Sequence, residues 1–345
     1  MNTGSADRVP EPLVSVCIAN FNGEHLLDEC LESVYAQTLP ASVEIIVHDD
    51  ASSDASLAVL RSRHPRVEVI ESSKNVGYCL ANNRMASRAR GRFLLLLNND
   101  ATLRPDALEV LVDAAGGQPG LTVLSLPQYD PESGALVDRG VRLDVFHTPM
   151  PSRLPGRADL AYVQGACLFI GRSAWMALGG FPEWMVSNVE DTYLCLLARL
   201  KGGVVSVVER SGYLHRQGTS FGGNRVVDGK LRTSYRRRFL SERNRACLVL
   251  VCTPTWAAWP WFLIHLAVLA LEGFALCALM RDAGVWTRIY WPAIKGAVGL
   301  LPTLIKARSA AQAGRVMGFW SYVGLLDKIP QKLRVLARHG LPNLS

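Results

Sequence analysis

Charge is scarce in this sequence: Asp, Glu, Lys and Arg make up 19% of its 345 residues, while 49% are hydrophobic. Average soluble domains carry about 25% charged residues, so extended disorder and collagen-like repeats are excluded. Paired metal-type or redox-type cysteines are also missing. Cys17, Cys30, Cys79, Cys167, Cys195, Cys247, Cys252 and Cys277 are dispersed, with no C-x-x-C pair and no clustering with histidines. Several lie inside apolar runs, which points to buried, reduced thiols in a cytosolic compartment. Met1 to Pro12 has no apolar core, so no secretory signal is visible, and a flexible N-terminus is expected over residues 1–12. No internal repeat is apparent.

What charge there is divides unevenly. Residues 1–225 hold 20 Lys+Arg against 25 Asp+Glu, whereas residues 226–345 hold 17 against 5. The net of +7 therefore conceals a part at −5 and a tail at +12. The tail interleaves its arginines with a long apolar, Trp-rich stretch, which suits anionic lipid better than nucleic acid.

From Leu13 to Leu126 short apolar runs alternate with helical patterns: strands at 13–19, 43–48, 67–71 and 93–98, helices at 24–37, 53–63, 78–88 and 105–115. The apolar runs are nearly continuous, as expected when helices cover both faces of a sheet. This predicts an α/β fold with a doubly wound, mostly parallel sheet. Residues 128–157 read as an excursion across one end of the sheet. A strand at 162–170, helices at 172–178 and 190–200, and a strand at 204–208 follow, then a Gly- and Arg-rich stretch at 211–228 that reads as a mobile loop.

Between Ala246 and Met280 the only ionisable groups apart from cysteine are His265 and Glu272, a run longer than the roughly 20 residues a bilayer crossing needs. Ten further Lys and Arg follow from Arg281 onward, so both flanks are positive and one crossing does not satisfy the positive-inside rule. A second apolar stretch, Tyr290 to Ile305, is interrupted by Pro292, Lys295 and Pro302. A re-entrant hairpin or interfacial helices with both ends cytoplasmic are expected, with a buried helical subdomain as the alternative. The organisation expected is a catalytic domain at 13–225 and a basic, apolar, helical membrane-associated region at 226–345.

In open α/β sheets ligands bind at the carboxyl ends of the strands. There stand Asn20, Phe21 and Glu24 after the first strand, Asp49 and Asp50 after the second, and Asn98, Asn99 and Asp100 after the fourth. Ser52, Ser53 and Asp54 are read as helix caps. Capping does not explain adjacent Asp49 and Asp50, whose repulsion would be relieved by donors on a ligand. The motifs V-S-V-C-I-A-N-F-N at 14–22, H-D-D-A-S-S-D at 48–54, N-V-G at 75–77 with A-N-N-R at 81–84, L-N-N-D at 97–100, E-D at 190–191 and H-R-Q-G-T-S at 215–220 follow in order. With these the chain resembles glycosyltransferase family 2, of GT-A fold, over roughly residues 13–222.

The resemblance implies that Asp50 reads the base of a nucleotide sugar, with Asn20, Phe21, Glu24 and Asp49 around base and ribose and Asn75, Gly77, Asn83, Asn98 and Asn99 completing the donor site. L-N-N-D stands where the family has its D-x-D metal motif, so Asp100 and His215 would hold Mg²⁺ or Mn²⁺. Asn98 replaces the first aspartate and removes one charge. Asp191 would be the general base, with Glu190 beside it, and Tyr193 stands where many relatives have a further aspartate. Gln164, Gly165 and Ala166 resemble the acceptor-side strand.

These expectations describe an inverting, metal-dependent transferase that moves a sugar, dTDP-rhamnose being the suggested donor, to a lipid-linked or other glycan acceptor in cell-envelope polysaccharide synthesis. The subfamily resemblance is to bacterial rhamnosyltransferases and rests on overall pattern and on S-E-R-N-R at 241–245. The expected place is the cytoplasmic face of the plasma membrane, against an anionic surface and without nucleic acid. Two alternatives stay open. A processive synthase would carry a Q-x-x-R-W element and several clear spans, neither found here; a catalytically inactive, nucleotide-binding membrane subunit of an assembly complex is supported only by Asn98.

Overall fold

A computed structural model describes residues 11–118, 120–216, 218, 223–227, 230–340 and 343–344. Most of the expected N-terminal segment, Gln217, Thr219 and Ser220 of the last motif, and Ser345 lie outside the described residues. In chain order come β1 (Val14–Asn20), α1 (Glu24–Tyr35), β2 (Val43–Asp49), α2 (Ser56–Arg63), β3 (Glu68–Glu71), α3 (Tyr78–Arg88), β4 (Phe93–Asn98), β5 (Ala101–Leu103) and α4 (Ala107–Gly116). They are followed by β6 (Thr122–Ser125), β7 (Gln128–Tyr129), β8 (Leu136–Asp138), β9 (Val141–Asp144) and β10 (Pro149–Pro151). Then come β11 (Cys167–Gly171), α5 (Arg172–Leu178), α6 (Glu190–Leu200), β12 (Val204–Val207) and β13 (Tyr213–His215).

Seven strands form the central sheet in the order β12-β6-β11-β4-β1-β2-β3. It is parallel except for β11, which lies antiparallel between β4 and β6. The continuous apolar runs are explained by two cores on opposite faces. Along β4, Leu94 and Leu96 enter the core beneath α3, α5 and α6, whereas Leu95 and Leu97 enter the other beneath α1 and α4.

Two local expectations are corrected. The strand expected at 162–170 begins only at Cys167; Tyr162 makes an isolated bridge to Val141, and the chain turns at Gly165 and Ala166. The excursion at 128–157 is structured, its short strands entering two small sheets, β5-β13-β7-β8 and β10-β9 with Leu326–Asp327. The stretch 211–228, expected to be a mobile loop, contains β13 and a strand at Gly223–Val227.

The C-terminal region is helical, as expected. Helix α7 (Tyr235–Cys252) starts where the Ser234 side chain accepts from the Arg237 N–H, and it stops ahead of Pro254. Helix α8 (Ala258–Met280) follows, so the apolar run 246–280 is not one element. Its first part, Ala246–Cys252, is fully buried and shares a core with Leu94, Leu96 and α6. One core thus continues across residue 225. Pro292 and Pro302 occupy the first turns of helices Trp291–Gly299 and Leu301–Gln312, positions where a missing N–H costs nothing. All eight cysteines are free thiols, seven of them buried.

Candidate functional site

Two crossovers at the carboxyl end of the sheet are stitched to each other. Asn22 N–H donates to Ser52 Oγ (2.9 Å), the Ser53 N–H donates to Asn22 Oδ1 (2.8 Å), and Glu24 Oε2 accepts from the Ala55 N–H (2.6 Å). Asn20 and Asn99 are buried, and Asn99 Nδ2 donates to Asn20 Oδ1 at 2.8 Å. Gly23 makes this contact possible, because a Cβ there would come within 2.3 Å of Asn99 Nδ2.

The donors expected from a ligand for Asp49 and Asp50 are supplied by the chain itself. Asp49 accepts from Asn20 Nδ2 and the Ser52 N–H, each at 3.0 Å. Asp50 accepts from the Val76 N–H (2.7 Å) and Gly77 N–H (2.9 Å), which anchors the loop entering α3. Gly77 has φ +86°, and a Cβ would stand 2.9 Å from the Val186 carbonyl. Asn75 is exposed, and Phe21, 43% exposed, offers an aromatic face beside these groups. Asn83 has both amide atoms committed to the backbone of Phe181, donating at 2.8 Å and accepting at 3.0 Å.

Asp100 and His215 come together through strand register. The antiparallel pairing of β13 with β5 sets His215 opposite Ala101, and His215 Nε2 lies 3.1 Å from Asp100 Oδ1. Asn98 Nδ2 is 3.4 Å from the same ring nitrogen. Among the described residues no group of three or more His, Cys, Asp or Glu gathers as a metal cage. A hard divalent ion bound by one carboxylate, one imidazole and substrate phosphates fits this donor set, since Mg²⁺-type sites keep positions for phosphate and water. The crevice beside Asp100 is nearly filled, at about 10 Å³, and Arg216 there bridges to Glu29 at 2.7 Å. The larger cavity, about 370 Å³, lies along β12 between Arg139, Arg157 and Arg199, away from these carboxylates.

Glu190 and Asp191 open α6, and both are held above the ordinary carboxylate range by burial. Asp191 Oδ2 accepts from the Gly165 N–H (3.0 Å) and Oδ1 from the Thr192 N–H (2.6 Å), donors that favour its ionised form. Glu190 is pushed up to about 8 by burial and by the Asp191 charge. The turn at Gly165 is what delivers its N–H to Asp191, and Tyr78 Oη donates to the Gly165 carbonyl at 3.0 Å. A raised folded pKa means the folded chain keeps a proton on Glu190 between about 4.5 and 8 that the unfolded chain has lost, so stability falls as pH rises through that window. Glu190→Gln should remove that loss. Its unfolding free energy should match the wild type near pH 4.5 and exceed it increasingly up to pH 8, by an amount on the order of a few kcal/mol, with the melting temperature rising in step. Thermal melts across that range check it, and parallel curves for the two proteins would contradict it.

The loop before α6 is strained and braced. Val186, Asn188 and Val189 have φ of +66°, +67° and +75°, values β-branched residues rarely adopt. Asn244 of α7, fully buried, points its Nδ2 at the carbonyls of Met185 (3.0 Å), Ser187 (3.0 Å) and Asn188 (2.8 Å). Arg243 donates to the carbonyls of Trp184 and Met185 at 2.9 and 3.1 Å. Asn244→Ala should orphan these carbonyls and release the strain, at a cost of about 3 kcal/mol in unfolding free energy. Denaturant unfolding measures it; a change below about 0.5 kcal/mol would show that the brace carries no load.

Sequence reasoning brought Asp100, His215, Asp191, Glu190 and Gly165 to light and missed three residues. Asp138, at the end of β8, is buried, raised to about 6 by that burial, and within electrostatic reach of His215 and Asp191. Arg237 is in such reach of Glu190, Asp191 and Asp100. Asn244 is the third. The only signal for the last two was the S-E-R-N-R segment and the three arginines Arg236, Arg237 and Arg238 just before it.

Residues 15–169 match the family described as Glycosyl transferase family 2. The succinoglycan biosynthesis protein ExoO of Rhizobium meliloti (strain 1021) is 32% identical over 173 residues, 49% of this chain and 46% of that protein. The chain thus spans less than half the length of that curated relative. Among solved structures, S. aureus TarS 1-349 in complex with UDP-GlcNAc superposes with a TM-score of 0.53 at 18% identity, over 91% of this chain and 92% of that one. GalNAc-T7 with UDP, GalNAc and Mn²⁺ gives 0.56 at 16% identity, over 72% of this chain and 50% of that one. The fold is GT-A-like, with a C-terminal helical region, and the match at 15–169 supports the family that the motifs resemble.

Proposed function

We propose that this chain is a glycosyltransferase of cell-surface polysaccharide assembly that moves one sugar from a nucleotide diphosphate donor to a glycan acceptor by a single inverting displacement. The observation that carries this reading is Asp191, held by two backbone N–H groups, in electrostatic reach of Arg237, which also reaches Asp100, whose carboxylate lies 3.1 Å from His215. Relatives and neighbours named for polysaccharide biosynthesis or solved with UDP-sugars support it.

In this reading Asp191 takes the proton of an acceptor hydroxyl as it attacks the anomeric carbon. The Gly165 and Thr192 N–H groups fix its orientation and keep it ionised. Glu190, kept protonated by burial, spares the site a second charge. Arg237 supplies a cation near Asp100 where a diphosphate would lie. Asp100 and His215 would hold a divalent metal, which when bound neutralises charge on the departing diphosphate. Phe21 offers a surface on which a base can stack, and Asp50, by holding Val76 and Gly77, shapes the donor loop.

The finer reading is a rhamnosyltransferase using dTDP-rhamnose on a lipid-linked acceptor at the cytoplasmic face of the membrane. It is supported by the Ser241–Arg245 segment, whose Arg243 and Asn244 brace the loop before the base. Turnover with a panel of UDP, dTDP and GDP sugars tests both levels. Hydrolysis or transfer with at least one donor is expected, dTDP-rhamnose fastest. A different preferred sugar would remove the finer reading, and inertness toward every donor and acceptor would remove the coarser one.

A further inference from the structure

Helix α8 is docked along one stripe and bare along the opposite one. Ala258, Phe262, His265, Leu269 and Gly273 recur at helical spacing and are buried. Gly273 meets the next helix so closely that a Cβ would stand 2.7 Å from Tyr290 Cβ. Glu272, well along the helix, accepts from Arg238 (3.0 Å), Lys332 (2.6 Å) and Tyr290 Oη (2.7 Å), tying α8 to α7, to the turn Trp286–Tyr290 and to the helix Gln331–His339. A crossing of α8 would carry this charged network, and the helices that supply it, into hydrocarbon. The length and hydropathy that suit α8 to a span therefore serve a different purpose.

The opposite stripe is Trp259, Leu263, Ile264, Leu271, Phe274 and Leu279, between 41% and 70% exposed. Phe274 stacks on Trp286 with centroids 4.2 Å apart, and Trp286 stacks on Trp291, so the patch continues onto the following helix. Trp256, 79% exposed, stands just ahead of the helix. Beyond α8, Arg281, Arg288, Lys295 and Lys306 are exposed. Between Gly273 and Leu326 the only acidic residue is Asp282, which accepts from Tyr235 Oη. Arg281, Lys295 and Lys306 form no ion pair among the described residues.

We infer that this face seats the protein on an anionic bilayer as an interfacial surface, its leucines and phenylalanine entering the acyl boundary and its tryptophans and basic side chains meeting headgroups. The unpaired basic rim selects this occupant over a second copy of the chain, which would set like charge against like. Nothing in the inference depends on the transfer chemistry.

Full-length protein is mixed with vesicles of phosphatidylcholine, or of phosphatidylcholine and phosphatidylglycerol at about 7:3, and floated on a density gradient. Flotation with the anionic vesicles is expected to be at least about tenfold stronger than with the neutral ones. Combining Leu263→Glu, Ile264→Glu and Leu271→Glu should abolish it while leaving the thermal melt unchanged, because these side chains are exposed. Lys295→Glu with Lys306→Glu should weaken it at low salt only. Alkaline carbonate should release the bound protein. Retention after carbonate would make α8 a crossing helix, a detergent-free dimer that ignores vesicles would make the face a self-interface, and undiminished flotation of the triple variant would remove the patch from the contact; each overturns the inference.

Discussion

Asp191→Asn should lower kcat about 10²-fold or more and leave the donor dissociation constant within about twofold. The amide cannot take a proton from an acceptor hydroxyl at neutral pH, whereas its size lets α6 begin as before. Burial raises the Asp191 pKa above the ordinary carboxylate range, so the acidic limb of the wild-type kcat/KM profile should lie above that range as well. The base must be deprotonated, so activity falls as pH drops through that pKa. Single-turnover transfer and calorimetric donor binding on the same preparations separate the two effects. Turnover of the variant near the wild-type rate would move the base elsewhere, with Glu190 the first candidate.

Chelation should stop transfer, and added Mn²⁺ or Mg²⁺ should restore it. Asp100, with a side chain fully shielded from solvent, and His215 at 3.1 Å offer only two protein donors, so affinity for the ion should rise sharply when donor phosphates complete its shell. Donor binding by the wild type is therefore expected to strengthen about tenfold or more with metal present. Asp100→Ala should lose most of that gain and bind the donor alike with and without metal. Calorimetry in the presence and absence of EDTA reads both numbers. Full activity after exhaustive chelation would rule out Asp100 and His215 as metal ligands in the reaction.

Apart from the short β5, the strands and helices up to α4 were legible because they carry local signals: an apolar run bounded by polar residues, then a helical pattern. Residues at the carboxyl ends of those strands were legible for the same reason, since topology alone puts Asn20, Asp49 and Asp100 at one edge. Their partners were not. The donors to Asp50 come from Val76 and Gly77, and Asn20 donates to Asp49, contacts spanning 26 to 29 residues that no local pattern encodes. Asn83 shows the converse, a motif residue whose amide holds Phe181. The antiparallel turn of β11 escaped notice because an apolar run says nothing about direction. The tail shows how composition misleads: Ala246–Cys252 looks continuous with α8, yet it fills the core against the sheet, and Asn244 beside it bonds to a loop 56 to 59 residues away.

The central claim is a single displacement at the anomeric carbon with Asp191 as the base, and the configuration of the product tests it most directly. NMR of the first product formed from an α-linked or β-linked nucleotide sugar, recorded before any mutarotation, reports that configuration through the one-bond coupling between the anomeric carbon and its proton. The account predicts the configuration opposite to the donor's, with no product from Asp191→Asn on the same timescale. A product that retains the donor's configuration would require an intermediate on another group and would contradict it.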